Sequence, residues 1–538
     1  MENLAHGLVT SNAAAMVSKV YDEYLDVIAL EPTLYSLNMT DSFVAYNDSG
    51  LSEAAIRAYI SHLCMGLMSL VRVMGVLPII RAPGGGPAEM LANDLCGSLR
   101  DALSPRSQAH SIYGDFLVSD RPRPLLLILD RVSDLTPPLM HASTYHALVD
   151  DLLGLKLNKV TVSVQGKDQA APRKKTYDLN SLTDPFFRRY ASAPFPEAVE
   201  ANREETAVVA KREAEIRSRP GAAAASMMAA ESAGNDCLSD AITSLPEILN
   251  KKANLEAHTS ILQAVMREVA AREVHTYFEL EQTILLSGGS VDKVSVLELL
   301  RDGSKGSIED KARLLAIVTL LGTDKSSTSA EDYAAAFEEG CRGAAARMGG
   351  GDAAAGTDVD AGIARMTAAV SFLRRLKKLQ SPVMGYGGGG GGGEGKSAMI
   401  SSLLSSATSG ATSLMARATA LFAKFSPLPV STVVDNLAEG RACAEDESYC
   451  YLDPRQQSAQ RGGGGQKYSE VVVFVVGGGC LSEYFNLQEM VQQKRGNGAG
   501  AQGSAANALR NVVYGGSEIY SAAVFLEQLQ KLGAKGSG

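Results

Sequence analysis

The chain has 538 residues, 45% of them hydrophobic, which is room for two or three domains with real cores and excludes disorder throughout. Its net charge of −9 leaves no basic surplus for a phosphate backbone, so nucleic acid is not an expected partner. The seven cysteines are scattered with no CxxC pair, as in a cytosolic protein with reduced thiols; the first residues show no basic segment followed by an apolar core, so no signal peptide is expected there, and no window of about 18 uncharged apolar residues predicts a membrane-spanning helix.

In chain order, residues 11–30 predict a helix, capped by Ser11 or Asn12 and striped by Val17, Val20, Tyr21, Tyr24 and Leu25. Residues 51–76 predict a second helix with Ser52 as its N-cap. Leu77–Arg81 is a short apolar segment closed by a turn, and Ala88–Leu103 is helical again. Leu125–Leu129 is a continuous apolar run between Pro124 and Asp130, the pattern of a strand buried on both faces of a parallel sheet. After Pro137 and Pro138, the positions Tyr145, Leu148, Val149, Leu152 and Leu153 share a helix face, with Gly154 as C-cap. Leu157–Val164 alternates as a strand, completing a strand–helix–strand unit.

Composition changes near Gly166. A polar stretch over 166–185 precedes a charged helix over 197–219 and an Ala/Ser-rich tract over 221–236 that reads as mobile. From Leu238 to Leu286 the pattern is one long helix or two, opened by Pro246 in a first turn. Helical patterns recur at 293–302, 308–321, 329–347 and 360–379, followed by a glycine linker over 386–395 and a small-residue helix over 397–424. Tyr468–Val476 is a buried strand followed by Gly477-Gly478-Gly479 and a helix, and Leu509–Tyr514 and Ser517–Leu532 give a last strand and helix. The economical fold is an α/β domain with a parallel sheet, discontinuous in sequence (1–165 and 426–538), carrying a large helical insertion (166–425).

Motifs for chemistry weigh against catalysis. Gly390–Ser397 satisfies G-x-x-x-x-G-K-[ST], the basis of an alternative reading as a P-loop NTPase. No strand precedes it, however, and a run of glycines makes the match nearly automatic. The turn at Gly477 has Ser482 where a dinucleotide fingerprint needs glycine, so it reads as a structural turn. Asp130, Asp134, His141, His146, Asp150 and Asp151 cluster in sequence, but their spacings suit neither a shared metal nor an aspartyl-phosphate site. The expected roles are structural: an ion pair between Asp130 and Arg131, and a turn capped by Asp134. Arg188-Arg189 and the basic run 374–378 are solvated helix faces, or a docking surface for acidic helices.

Together, LLLILDRVSDLTPPLMHASTYHALVDDLLGLKLNKV (Leu125–Val160), YSEVVVFVVGGGCLSEYFNL (Tyr468–Leu487), KKTYDLNSLTDPFFRRYASAPFPEAVE, SLPEILNKKANLEAHTSILQAV and VVYGGSEIYSAAVFLEQLQKLG resemble the Sec-one/Munc-eighteen (SM) family, its Sly-type branch most. The resemblance runs from residue 1 to about 532 and breaks only at low-complexity tracts. It implies a non-enzymatic, cofactor-free, monomeric chaperone of SNARE assembly in ER–Golgi fusion. Such a protein binds a syntaxin-type (Qa) SNARE and the assembling SNARE bundle, with tethering complexes as candidate further partners. It would be cytoplasmic and peripherally associated with ER and Golgi membranes. The chain begins at what looks like the family's second domain, so the pocket for a syntaxin N-terminal peptide is expected to be missing. The family's SNARE-templating helix resembles Leu245–Val265, with Pro246 near its start and Leu255, His258, Thr259 and Leu262 on the partner-facing side. The charged segment 197–219 resembles the branch's mobile cover over that surface.

Overall fold

The computed structural model describes residues 2–11, 13–17, 26–107, 110–117, 119–164, 173–218, 235–322, 327–348, 353–379, 427–456, 460–461, 465–498 and 509–535. The order begins with α1 (Glu2–Thr10), β1 (Ile28–Glu31), β2 (Leu34–Ser36), α2 (Val44–Asn47), α3 (Glu53–Met74), β3 (Ile79–Ala82), α4 (Pro87–Leu103), α5 (His110–Tyr113), β4 (Leu125–Asp130) and α6 (Tyr145–Leu153). The hairpin β5 (Lys159–Val164) and β6 (Arg173–Asp178) follows, then the helices α7 (Pro185–Tyr190), α8 (Phe195–Ser218), α9 (Asn235–Arg272), α10 (Val274–Leu286), α11 (Lys293–Arg301), α12 (Ile308–Leu321), α13 (Ser327–Met348) and α14 (Ala353–Leu379). The chain returns through α15 (Pro429–Ala438), α16 (Ala444–Ser448), β7 (Cys450–Leu452), β8 (Gln460–Arg461), β9 (Glu470–Val476), α17 (Leu481–Gly498), β10 (Asn511–Gly516) and α18 (Ala522–Lys535).

Eight strands form one sheet in the order β1-β2-β10-β9-β4-β3-β7-β8. The run β2, β10, β9, β4, β3 is parallel, with antiparallel strands at both edges. Its centre pairs Leu125–Asp130 residue for residue with Val471–Val476. Alternate residues point to opposite faces, and helices cover both. Leu125, Leu127, Leu129, Val471, Val473 and Val475 enter one core, while Leu126, Ile128, Val472, Phe474 and Val476 enter another with α3 and α4. Burial on both sides is why these strands read as unbroken apolar runs. The first of the two cores is continuous with the helical region, taking in α10, α12, α13, α14 and α18.

Several local signals act as expected. Ser52 accepts from Ala55 N at the start of α3, and Gly154 closes α6 in a positive-φ conformation. At Gly478, φ is +102° and an added Cβ would enter the Tyr520 ring, so the glycine turn after β9 is structural.

Other expectations are corrected. Residues 28–31 form β1, not the end of a helix; the described helix near the N-terminus is α1, and 18–25 lie outside the described residues. The strand β5 does not return to the sheet of β4. It pairs antiparallel with β6 in a separate two-stranded sheet, because only Val160 and Val162 are apolar and buried while Lys159, Thr161 and Ser163 face water. Such alternation marks a half-exposed hairpin strand, whereas a central parallel strand needs apolar residues on both faces. That hairpin straddles the expected boundary at 165–166. Asp130 does not pair with Arg131. It accepts instead from Ala88 N at the first turn of α4, and Arg131 is carried inward to Glu483. Helix α3 is long and apolar enough by composition to span a membrane if its charged residues are tolerated, but Ile60, Leu63, Leu67, Leu70 and Val71 are buried in the core with α4.

Candidate functional site

Helix α9 is the longest described element and carries the residues singled out for partner contact. Pro246 lies inside it, exposed, not at its start. A proline costs a helix one backbone hydrogen bond and a local clash, and neighbours that pack can carry the helix through it. The other four residues face inward. Leu255 and Leu262 are 1% and 3% exposed, within a core that includes Ile261, Val265, Tyr145, Phe187, Phe195 and Val160. The resemblance implied that this side of α9 faces a partner, but α6, α7, α8 and the β5–β6 hairpin occupy it.

Polar groups fix the docking. His258 is 1% exposed; its Nδ1 lies 2.8 Å from the Tyr145 hydroxyl and its Nε2 lies 2.8 Å from Asp184 Oδ2. Asp184 also caps α7, accepting from Phe187 N, and its hydrogen bonds, with His258 first, outweigh burial and hold its carboxyl below the usual range. The Thr259 hydroxyl donates to Leu255 O and accepts from Asn202 Nδ2 on α8 at 2.8 Å. Lys251 and Lys252 pair with Glu205 and Glu213 of α8, each at 2.8 Å. The charged segment as far as Ser218 is thus part of helix α8, packed along one flank of α9, while Arg219 and the Ala-rich tract after it lie outside the described residues.

The open face of α9 is opposite. Leu249, Ala253, Glu256, Gln263 and Arg267 are exposed and Ser260 is half-buried. Their spacing of four, three, four, three and four keeps them on one stripe down the helix, the spacing with which one helix reads another. Met266 is a further exposed apolar side chain, 42% accessible, and Leu249 is 47% accessible.

The residues weighed for chemistry do not converge. Burial raises Asp130 and Asp150 to about 7, and lowers His146 to about 3, so that His146 is a neutral ring packed on Phe187 and Phe485. Asp134 accepts from Thr136 N in a turn, as expected. Among the described residues, no group of three or more His, Cys, Asp or Glu side chains is arranged to hold a metal ion. Gly390–Ser397 lies outside the described residues. Arg188 braces the Ser181 and Leu182 carbonyls and Arg189 lies over the Tyr190 ring. Lys377 caps α12 by donating to Thr319 O at 3.0 Å, and its burial lowers its pKa.

A buried ionic cluster joins the loop after β4 and α6 to the helical region, and of its members the sequence alone singles out only His141 and Asp151. His141, Asp151, Glu281, Arg272, Asp310 and Arg313 come from five separated segments. Nor does the sequence reveal the buried pair of Arg131 and Glu483, which is bidentate at 2.6 and 2.8 Å and is joined by the Tyr514 hydroxyl.

A mixed sheet built from both ends of the chain, with helices on both faces and a long helical excursion, is an architecture shared with solved proteins. A sequence model of the Sec1 family matches residues 1–528, and the chain belongs to that family. Among its relatives, the SEC1 family transport protein SLY1 of Arabidopsis thaliana is 30% identical over 549 residues, covering 99% of this chain and 79% of the relative. The protein sly1 homolog of Drosophila melanogaster is 31% identical over 558 residues, covering 99% and 81%. Among solved structures, Sly1p in complex with an N-terminal peptide of Sed5p matches with a TM-score of 0.68 at 25% identity, covering all of this chain and 78% of that one. The SM protein Vps45 in complex with the Qa SNARE Tlg2 shares the fold, with a TM-score of 0.64 at 18% identity over 100% and 81% of the two chains.

Proposed function

We propose that this protein is a SNARE-binding regulator of vesicle docking and fusion in ER–Golgi transport, acting on a syntaxin-type SNARE and the assembling bundle. The observation that carries this reading is the match along essentially the whole chain to Sly1 relatives, including Sly1p solved with a Sed5p peptide. It works by binding, without enzymatic turnover, from the cytoplasm at ER and Golgi membranes. We assign 1–165 with 426–538 to the α/β platform and 166–425 to the helical region, which shares a core with the platform and is bridged to it by the β5–β6 hairpin.

Within that region, α9 is the partner-facing helix. Leu255, His258, Thr259 and Leu262 serve it from beneath: they lock the helix to α6, α7 and α8 so that its open stripe is presented rigidly. Leu249, Ala253, Glu256, Gln263 and Arg267, with Pro246 at one end, would meet a SNARE helix at matching spacing. A rigid docked helix spares the complex the ordering cost that a mobile one would incur on binding. The test is a titration of a labelled syntaxin-type SNARE helix with wild-type protein and with Leu249→Asp. Saturable binding weakened at least tenfold by the variant, with unfolding unchanged, supports the reading; absence of binding by the wild type refutes it.

A further inference from the structure

We propose that His141 is a doubly donating imidazolium clamped between Glu281 and Asp310, and that it forms a proton-dependent latch docking α10 and α12 onto the loop after β4. Its Nδ1 lies 2.7 Å from Glu281 Oε1 on α10, and its Nε2 lies 3.1 Å from Asp310 Oδ1 on α12. A neutral imidazole has one N–H only, so one nitrogen lone pair would face a carboxylate lone pair. Both contacts are satisfied together when each nitrogen carries a proton. The His141, Glu281 and Asp310 side chains are all 0% exposed, out of contact with bulk water.

The surrounding groups make the proton count matter. The His141 backbone N–H donates to the other Glu281 oxygen at 2.8 Å. Asp310 accepts from Ser307 N at 2.7 Å and from both donors of Arg272, the last residue of α9. Arg313 of α12 reaches back under the same loop, donating to Leu139 O and Met140 O and pairing bidentately with Asp151 of α6. Tyr277 of α10 supplies the ring beside His141, 5.3 Å between centroids. Three carboxylates (Asp151, Glu281, Asp310) thus face two guanidinium groups (Arg272, Arg313), with the imidazolium as the third cation of the contact network; the buried Lys311 ammonium lies beyond the Tyr277 ring, at its hydroxyl and the Leu299 and Asp302 carbonyls. Removing its proton leaves an unbalanced charge out of contact with water, where it is costly. Burial and Arg313 push the imidazole pKa down, but Glu281 and Asp310 outweigh them and hold it above its ordinary value.

The direction of the pH effect follows. A histidine whose folded pKa is raised contributes stability that is full below about 6.5, its unfolded value, and is lost as pH rises through the folded value. The latch therefore loosens on the alkaline side, and because Arg272 ends α9, the anchorage of that helix loosens with it.

The experiment combines 15N-histidine NMR on the full chain, with the His141 resonances assigned by His141→Gln, and denaturant unfolding of wild type, His141→Gln and Glu281→Gln between pH 6 and 9. The expected result is a ring protonated on both nitrogens at pH 6, and a wild-type advantage over His141→Gln that shrinks as pH rises. Glu281→Gln should move the ring's titration midpoint down by about 1 unit or more, by removal of an adjacent opposite charge. If His141→Gln does not fold, the His141 ring is assigned by through-bond correlation to its own backbone, and the Glu281→Gln shift and the wild-type ring signals decide. A ring already neutral at pH 6, or a midpoint unmoved by Glu281→Gln, overturns the proposal. The latch stands whether or not the protein binds SNAREs.

Discussion

Replacing Leu262 by alanine separates the two faces of α9. The side chain is 3% exposed and packs in a core with Ile261, Val265 and Phe187. Truncation removes three buried carbon groups, worth about 2.4 kcal/mol at ~0.8 kcal/mol each. The cavity left behind adds to that, for a total of about 2–5 kcal/mol depending on how far α6, α7 and α8 relax. Leu249, a similar side chain 13 residues earlier on the same helix, is 47% exposed, and its truncation should stay within about 0.5 kcal/mol. Urea unfolding of Leu262→Ala, Leu249→Ala and wild type, followed by the far-ultraviolet helical signal, measures both. The midpoint should fall clearly for Leu262→Ala and hardly at all for Leu249→Ala. Equal midpoints for Leu262→Ala and wild type would show that this face of α9 is not packed as described, and the assignment of the opposite stripe to partners would fall with it.

Arg131→Ala should cost about 3–5 kcal/mol, because it strands the 1%-exposed Glu483 carboxylate, while the apolar pair Arg131→Met with Glu483→Leu should recover most of that loss in the same unfolding assay. Gly478→Ala should destabilise, through its φ of +102° and the Tyr520 ring in its path, whereas Gly97→Ala in α4, with open space at its Cβ, should be neutral or gain about 0.4–1 kcal/mol. Asp130 is raised by burial to about 7, so its contribution is full below about 3.9 and is lost as pH rises through about 7. Asp130→Asn keeps an acceptor for Ala88 N and should therefore be more stable than wild type at pH 8 but not at pH 4. Deleting residues 387–395 should leave SNARE binding intact, as a pull-down would show; loss of a measurable ATP affinity on deletion would revive the P-loop reading.

The parts of the fold legible in the sequence are those governed by local chemistry. Ser52, Gly154 and the glycine turn at 477–479 act within a few residues of themselves, and the two-faced burial of β4 and β9 leaves a continuous apolar run. Topology was less legible. The alternating β5 looked like the second strand of a parallel unit, yet its partner is the basic β6, whose Arg173-Lys174-Lys175 carries no apolar signal at all. The α9 site was half legible: the resemblance pointed to this helix and to Leu255, His258, Thr259 and Leu262, but neither resemblance nor periodicity says whether a protein's own helices or a partner's will cover such a face. The His141 cluster was not legible because the two carboxylates on the ring, Glu281 and Asp310, lie 140 and 169 residues away from His141 in sequence. Spacing rules examine near neighbours, and the cluster exists only once α10 and α12 dock.

The most direct measurement for the central claim is reconstituted fusion of liposomes bearing ER–Golgi SNAREs, with wild-type protein and Leu249→Asp compared at equal concentration. A regulator that presents the open stripe of α9 should change the lipid-mixing rate in a saturable manner, and Leu249→Asp should abolish most of that change while unfolding at the wild-type midpoint. A wild-type protein without effect on mixing and without affinity for the SNARE helices would contradict the account.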